Sequence, residues 1–490
     1  MNVTGTSRRP AGGVRSDGPW PRTAPTAADR AAYADAVARP YWLDRLPARA
    51  PGATVTGVLE ADLCIIGGGF TGLWAALAAK RREPGRDVVL VEAETVGYGA
   101  SGRNGGFVSA SLTHGLANGE ARFADEMEIL SRLGDENFQG FCDDIADHGI
   151  ACDLERTGEI TVAVAPHEVP WMAEEAALLR RYGHEVELLD AEAMRAEVAS
   201  PTYLGGVWDR TGAALVDPGR LAQGLAEAAE RLGVRICERS PVTRLADAGS
   251  AVDVVVAGGR VRARRVVLGT SAYPPLVRAM RRYIAPVYDY VLVTEPLTPA
   301  QLESIGWRGR QGIGDAGNQF HYYRRTADDR ILWGGYDAVY RFGGPVDPSH
   351  DECDATFARL AQHFFITFPQ LEGVRFSHRW GGAIDTCSRF SAFFGTAHGG
   401  RVAYAAGYTG LGVCATRFGA QVALDLVDGR PGEATRLRYV RRRPVPFPPE
   451  PLRWAVIELT RNRLAAADRR QGRRGIWLGA LDRLGLGFDS

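Results

Sequence analysis

The chain of 490 residues reads as an α/β protein in which a Rossmann-like nucleotide-binding domain is interleaved with an antiparallel-sheet second domain. Three observations predict this. A strand, helix, strand pattern over residues 61–92 encloses Gly67-Gly68-Gly69-Phe70-Thr71-Gly72. A further helix and strand follow Asp217-Pro218 in the order a parallel sheet requires. Residues 286–376 then change to aromatic-rich segments of period two, separated by turn residues.

The first element is the short apolar run Leu63, Cys64, Ile65 and Ile66, as expected of a strand buried on both faces. A helix over 71–82 and a second buried strand over 87–92 complete the unit. The spacing Gly67-x-Gly69-x-x-Gly72 falls between strand and helix, where a pyrophosphate can lie against backbone N–H groups at the positive end of the helix dipole. A Cβ at Gly69 would hold the phosphates away, and Gly72 lets helix and strand approach closely. Phe70 and Thr71 start the helix beside them. Glu92 ends the next strand about twenty residues on, with Ala93 after it; a carboxylate there suits ribose hydroxyls and opposes a 2′-phosphate. Without that context the glycines would mark only a tight turn.

Residues 120–148 carry helical periodicity, as one long helix or two broken near Gly134. Asp217 is an N-cap before proline, opening a helix over 219–232 that Gly233 closes before a strand at 234–237. Segments 242–245, 251–257 and 261–268 surround the Gly258-Gly259 turn as a small antiparallel insert that returns to the main sheet. The expected organisation is an N-terminal extension at 1–55, partly disordered; nucleotide-binding parts at 56–150, 206–285 and 377–430; second-domain parts at 151–205 and 286–376; and a Pro-rich, Arg-rich helical extension at 431–490.

The segment Gly97-Tyr98-Gly99-Ala100-Ser101-Gly102-Arg103-Asn104-Gly105-Gly106 has five glycines in ten positions, where an NAD fold would continue into helix. Such a backbone can follow a pyrophosphate or a flat ring, while Ser101, Arg103 and Asn104 offer hydrogen bonds; a flexible surface loop is the competing reading. GGGFTG, Glu92 and GASGRNGG in this order resemble the D-amino-acid oxidase (DAO) type of FAD-dependent oxidoreductases, and within it gamma-glutamylputrescine oxidase and its glycine and sarcosine oxidase relatives. The resemblance covers most of residues 55–430. It implies a glutathione-reductase-type FAD fold and assigns FAD contacts to Gly67, Gly69, Phe70, Thr71, Gly72, Glu92 and Ala93, and to Gly99, Ala100, Ser101, Gly102, Arg103, Asn104, Gly105 and Gly106. Val242 is expected near the adenine, and Thr270 and Tyr273 in a third flavin turn. Asn318 to Arg324 and Trp380-Gly381-Gly382 with Ile384-Asp385 also match. Gly410, Leu411, Gly412 and Val413 resemble the final flavin motif, where a helix N-terminus stabilises negative charge on the reduced ring.

The reaction so implied is hydride transfer from a carbon bearing nitrogen to flavin N5, giving an imine that hydrolyses, with oxygen or another acceptor taking the electrons. Two departures bear on it. Relatives with covalent flavin have a cysteine near Trp380 or Gly381; here the nearest is Cys387, so non-covalent FAD is expected. Lys80 is the chain's one lysine, at the far end of the first helix, so no lysine stands in 331–335 to activate oxygen. For catalysis and substrate binding the reading names Tyr323, His321, Arg324 and Tyr408, with Arg324 a bidentate donor to a carboxylate or phosphonate. Phe320, Tyr322 and Arg324 share one face of their strand, and His321 and Tyr323 the other. His378 is a further candidate, and Tyr288, Tyr290, Trp380 and Tyr408 could cage a cationic amine or simply pack.

Lys plus Arg balances Asp plus Glu at 58 each, which provides no field for nucleic acid or anionic lipid. Seven scattered cysteines without a CxxC point to reduced thiols in a cytosol, without disulfides or zinc. Arg8-Arg9 precedes no apolar run, and no stretch is long enough to span a bilayer. A cytoplasmic, soluble enzyme acting on a small-molecule amine is therefore expected, with the C-terminal arginines on a solvated face packed by Trp454, Ile457, Leu464 and Trp477. A hydroxy-acid dehydrogenase and a flavin-binding module without turnover are the alternatives.

Overall fold

The structure is a computed structural model that describes residues 18–21 and 23–487. Its first sheet runs in the order Phe393–Ala397, Val402–Ala406, Gly259–Leu268, Gly57–Ile66, Val88–Val91, Arg235–Cys237, and all pairs are parallel except the first. Ile66 stands level with both Val91 and Leu268, so three strands end together at one carboxyl edge. There Gly67, Glu92 and Gly269 leave the sheet, the place where open α/β sheets bind ligands. The hairpin Val242–Ala248 and Ala251–Val256 pairs antiparallel onto Gly259–Leu268.

Helix Phe70–Arg82 covers one side of this sheet and packs against helix Gly412–Asp428. It lies close because Gly72 has no side chain: a Cβ there would stand 1.9 Å from the Gly67 carbonyl oxygen. Asp217 caps helix Pro218–Arg231 by accepting from the Arg220 N–H. Residues 116–147 form helices Leu116–Phe123 and Met127–Asp147, so the break falls at 124–126 and not at Gly134. Gly134 instead lets the long helix close on the Ala110 carbonyl, which a Cβ would meet at 2.4 Å.

The second sheet runs Val339–Tyr340, Ala285–Thr294, Ile331–Gly335, His321–Arg325, Gly312–Asp315, Glu159–Ala163, Gly205–Asp209, Val186–Asp190. It is antiparallel except between Gly312–Asp315 and Glu159–Ala163. Phe376–Thr386 pairs along Ala285–Thr294. That strand, expected with the nucleotide-binding part at 377–430, therefore belongs to the second sheet, as does Gly205–Asp209, expected at the start of 206–285. Their apolar alternation is the same in either sheet; only pairing separates them.

Alternation along these strands divides the second sheet into two faces. Ile160, Val162, Tyr290, Tyr323 and Trp333 pack under helix Asp354–Thr367 with Phe357 and Phe364. Register places Glu159, Gly312, Gly314, Tyr322, Gly334, Asp289 and Gly382 on the opposite face, toward the first sheet. Four glycines keep that face low. A Cβ at Gly334 would meet the Tyr322 ring at 2.6 Å, and one at Gly312 the Phe107 ring at 2.5 Å.

Disorder was expected early in the chain. Residues 1–17 lie outside the described residues, but from Gly18 the extension packs: Trp20 stacks on His363 at 4.6 Å, and Tyr41 and Trp42 are buried. At the other end, helices Leu452–Asp468 and Ile476–Arg483 lie against the body, anchored by Tyr340 donating to Glu450 at 2.6 Å and by Asp468 accepting from the N–H of Gln319 at 3.0 Å.

Candidate functional site

A cavity of about 1000 Å³ opens at the carboxyl edge of the parallel strands and extends to the glycine-lowered face of the second sheet. Of the residues assigned to FAD by resemblance, all line it except Gly72, Gly102 and Gly106. Those three serve the backbone behind it: a Cβ would stand 1.9 Å from Gly67 O, 2.4 Å from Gly97 O and 2.2 Å from Val216 O, respectively.

At one end Glu92, Ala93 and Val242 form the wall. Glu92 accepts from the N–H of Gly68 at 2.6 Å and of Glu94 at 2.9 Å, and burial pushes its carboxyl above the usual range. These bonds leave further lone pairs for a ribose. Next comes the Gly67–Thr71 turn. The Phe70 N–H donates to the Ser101 hydroxyl at 2.9 Å, and a Cβ at Gly69 would meet that same oxygen at 2.9 Å. Helices Phe70–Arg82 and Gly412–Asp428 both point their N-termini into the cavity, and neither receives a side-chain cap from its N-cap residue. Apart from the Phe70 N–H, which Ser101 accepts, these helix starts offer their N–H groups and dipoles to an anion.

The Gly99–Gly106 segment is held from behind. Asn104 donates to the Ala100 and Ser101 carbonyls at 3.0 Å and accepts from the Gly106 N–H at 2.8 Å, so its side chain binds its own loop and not a ligand. Arg103 pairs with Asp351 at 2.5 Å and donates to the Tyr98 and Gly381 carbonyls. Trp380 donates to the Arg103 carbonyl at 2.9 Å, and Trp42 to that of Asn104 at 2.9 Å. The loop is thereby preorganised against the cavity. A two-nucleotide cofactor with an acidic ribose contact, a pyrophosphate between helix N-termini and a flat ring against glycine backbone fits this set of groups.

Of the residues expected in catalysis, Tyr408 lines the cavity, its hydroxyl accepting from Thr71 at 3.2 Å. The other three do not. His321 and Tyr323 lie on the buried face: His321 sits 2.7 Å from Asp315 and 3.1 Å from His363, and Tyr323 is 2.9 Å from the Tyr203 hydroxyl. Arg324 is on the cavity side of its strand but buried over Trp42. It donates to the Val216 carbonyl at 2.6 Å and that of Gly106 at 3.4 Å, and burial lowers its pKa to about 10. It supports the glycine loop and offers no fork to a substrate. Tyr290 also turns away, donating to the His350 carbonyl at 2.9 Å, while Tyr288 and Trp380 line the cavity. His378 contacts Ser377 and Asp44 outside it.

The side chain that Phe320 to Arg324 does deliver is Tyr322. Its ring packs where a Cβ on Gly105 would stand, 2.7 Å away, and its hydroxyl donates to Asp289 at 2.5 Å. Burial pushes Asp289 up to about 6 against the Tyr322 bond, which lowers it. Asp289 escaped sequence reasoning because one carboxylate in an aromatic strand carries no motif; its partner lies 33 residues away. The cavity roof was also missed. Val456, Ile457, Thr460, Arg461 and Leu464 from the C-terminal helix, and Leu481 and Leu486 beyond it, line the cavity, so Ile457 and Leu464, expected to pack beneath a solvated arginine face, pack over the site, and Arg461 of that face meets it too.

Lys80 is tied to the Pro84 and Arg86 carbonyls behind the first sheet. Cys387 lines the cavity with its thiol directed at the Ser391 and Gly407 carbonyls, 3.2 and 3.4 Å away. All seven cysteines are unpaired; among the described residues no cluster could hold a metal, and no helix is long and apolar enough to cross a membrane.

A sequence profile of the family described as FAD dependent oxidoreductase (DAO) matches residues 62–426. Among curated proteins, the gamma-glutamylputrescine oxidoreductase of Escherichia coli K12 is 34% identical over 391 residues, 78% of this chain and 86% of that protein. A probable oxidoreductase, OrdL, of Haemophilus influenzae is 30% identical over 76% of this chain and 84% of its own length. Among solved structures, glycine oxidase from Geobacillus kaustophilus superposes with a TM-score of 0.64 at 19% identity, covering 79% of this chain and 100% of that one. At that identity the likeness concerns the fold.

Proposed function

The chain belongs to the family of FAD-dependent oxidoreductases, and on that premise we propose that it oxidises the C–N bond of a small amine or amino acid. The observation that carries this reading is the Tyr322–Asp289 pair, set on the sheet face against the Gly105 loop where the flavin ring fits. When bound, FAD supplies the two-electron acceptor: a hydride leaves the carbon bearing nitrogen, and the imine left behind is hydrolysed by water to a carbonyl compound and an amine or ammonia.

The chain's own groups hold and orient the substrate. With its hydrogen directed to Asp289, the Tyr322 oxygen presents a lone pair to the amine N–H. Asp289, with its pKa at about 6, is ionised at neutral pH and polarises the Tyr322 hydroxyl, which accepts the N–H of the neutral fraction of the amine, the form that reacts, and orients its lone pair. Tyr288 and Trp380 give an aromatic wall, and the apolar stripe of the C-terminal helix excludes water.

Non-covalent FAD is part of the proposal, because the Cys387 thiol is engaged with two carbonyls and burial pushes its pKa up, away from the reactive thiolate. Unpaired cysteines support a cytosolic setting. Anaerobic titration of the yellow protein with amines, N-methyl amino acids and hydroxy acids tests the reaction. Bleaching by amines supports it, and bleaching by hydroxy acids alone overturns it. The rate at which air restores the colour separates oxygen from another acceptor, and acid precipitation must release the flavin into solution.

A further inference from the structure

We propose that Glu159 receives a second, positively charged group of the substrate, which is then an amine bearing a protonated amino group a few bonds beyond the carbon that is oxidised. This rests on the reaction proposed above.

Glu159 begins strand Glu159–Ala163 and lines the cavity. The other charged groups of the second sheet and roof that line it have partners within the protein: Asp289 has Tyr322, Asp337 has Arg359, Asp385 has the Gly407 N–H and Arg461 has Glu458. Glu159 differs. Among the described residues no donor hydrogen-bonds to its carboxyl and no cation pairs with it. Burial, with Asp209 on the adjoining strand adding to it, pushes its pKa up to about 7.

Its placement gives the direction. Gly314 lies on the same sheet face between Glu159 and Tyr322: it pairs with Tyr322 across one strand, and a Cβ on it would lie 3.6 Å from Glu159 Oε1. The carboxyl therefore leans over Gly314 toward Tyr322. Tyr322 abuts the Gly105 loop. From the flavin-binding loop outward the order is Tyr322, Gly314, then Glu159, the last about two strand spacings, or roughly 10 Å, beyond Tyr322 at its backbone and nearer at its carboxyl. The Tyr322 hydroxyl leans the other way, over Gly334 to Asp289, so an amine held at that hydroxyl runs back across the Tyr322 ring to reach the Glu159 carboxyl.

The half-buried Glu159 carboxyl, which no protein donor reaches, is met only by solvent until a ligand brings a cation, and a charge-assisted bond there gains over one to water. Glu159 offers only acceptor oxygens when ionised, so the matching ligand group is a cation with N–H donors. A carboxylate there would be repelled, and an alkyl end would leave the charge unpaired.

The test is calorimetric titration of the FAD-loaded protein with diaminobutane and with butylamine, which share a chain length and differ in the second cation. Wild type is expected to bind the diamine about a hundredfold more tightly. Glu159→Gln abolishes that preference, and Glu159→Asp, which keeps the charge, retains part of it, with the visible flavin spectrum the same in all three. Equal affinities in wild type, or a preference that survives in Glu159→Gln, would overturn the proposal. The calorimetry is run anaerobically on protein whose flavin is already reduced by dithionite and cannot oxidise the amines, so binding is read without turnover; bleaching of the oxidised flavin by the same amines judges the proposed reaction separately.

Discussion

A methyl group added at Gly72 would stand 1.9 Å from a backbone oxygen, whereas one added three residues earlier at Gly69 would meet the Ser101 hydroxyl at 2.9 Å. The two glycines therefore answer to different constraints. Gly72→Ala forces strand and helix apart and should lower apoprotein stability by about 2–3 kcal/mol in urea unfolding. Gly69→Ala should leave stability within about 1 kcal/mol yet weaken FAD binding about tenfold, read by flavin fluorescence. Arg324 sets a similar contrast. Arg324→Met removes the donor to the Val216 and Gly106 carbonyls, so stability should fall by about 2–3 kcal/mol. If Arg324 held a substrate carboxylate, KM would rise instead, with stability held. For Glu159 the sign follows from its pKa of about 7: the protonated acid cannot pair with a cation, while an alkylammonium stays charged to about pH 10. Diamine affinity should rise up to about tenfold per pH unit below pH 7 and level off above it, and Glu159→Gln should flatten the profile. Asp209, the charged group on the neighbouring strand, is itself paired with His184 at 2.7 Å.

Among the elements, the C-terminal helix Leu452–Asp468 lies beyond the family match at 62–426, yet it presents Val456, Ile457, Thr460, Arg461 and Leu464 to the cavity. These positions form one stripe at helical spacing. The helix is pinned at its far end, where Asp468 accepts from the N–H of Asn318 at 3.2 Å and of Gln319 at 3.0 Å, two residues that also line the cavity. Asp468→Ala should loosen roof and wall together. The expected outcome is a rise in KM of about tenfold, roughly the loss of one charged hydrogen bond at about 1.5 kcal/mol, with unchanged flavin content and faster proteolysis after residue 468. A purely solvated helix would give no change in KM.

For the whole molecule, the residues assigned to FAD by resemblance come from the carboxyl edge of one sheet and from loops pinned by the other, through Trp380 and Tyr322. Bound cofactor thus ties the two domains to each other. A ligand held by the native state alone raises stability by about 2.7 kcal/mol at a hundred times its Kd, and by about 1.4 kcal/mol for each further tenfold. The Tm of the apoprotein should climb steadily with added FAD in scanning fluorimetry; a Tm indifferent to FAD would mean that the cavity is not its site.

What could be read from the chain alone was local: the apolar run Leu63 to Ile66, the glycine spacing that follows it, Glu92 at the end of the next strand, and the glycines of 97–106. Each depends on neighbours a few residues away, and backbone freedom or helix polarity is encoded at that range. In the folded chain Ile66, Gly67, Gly69, Glu92, Gly99 and Gly105 line one cavity. Strand alternation also separated Tyr322 from His321 and Tyr323, but which face meets the cavity depended on the helix Asp354–Thr367 covering the other, and sequence periodicity has no sign. The fate of Arg324, the pairing of Tyr322 with Asp289, the lone carboxyl of Glu159 and the roof from the C-terminal helix all join residues far apart in the chain. Only folding could decide them, because a side chain's role here depends on which donors and acceptors reach it, and that is settled when the two sheets close around one cavity.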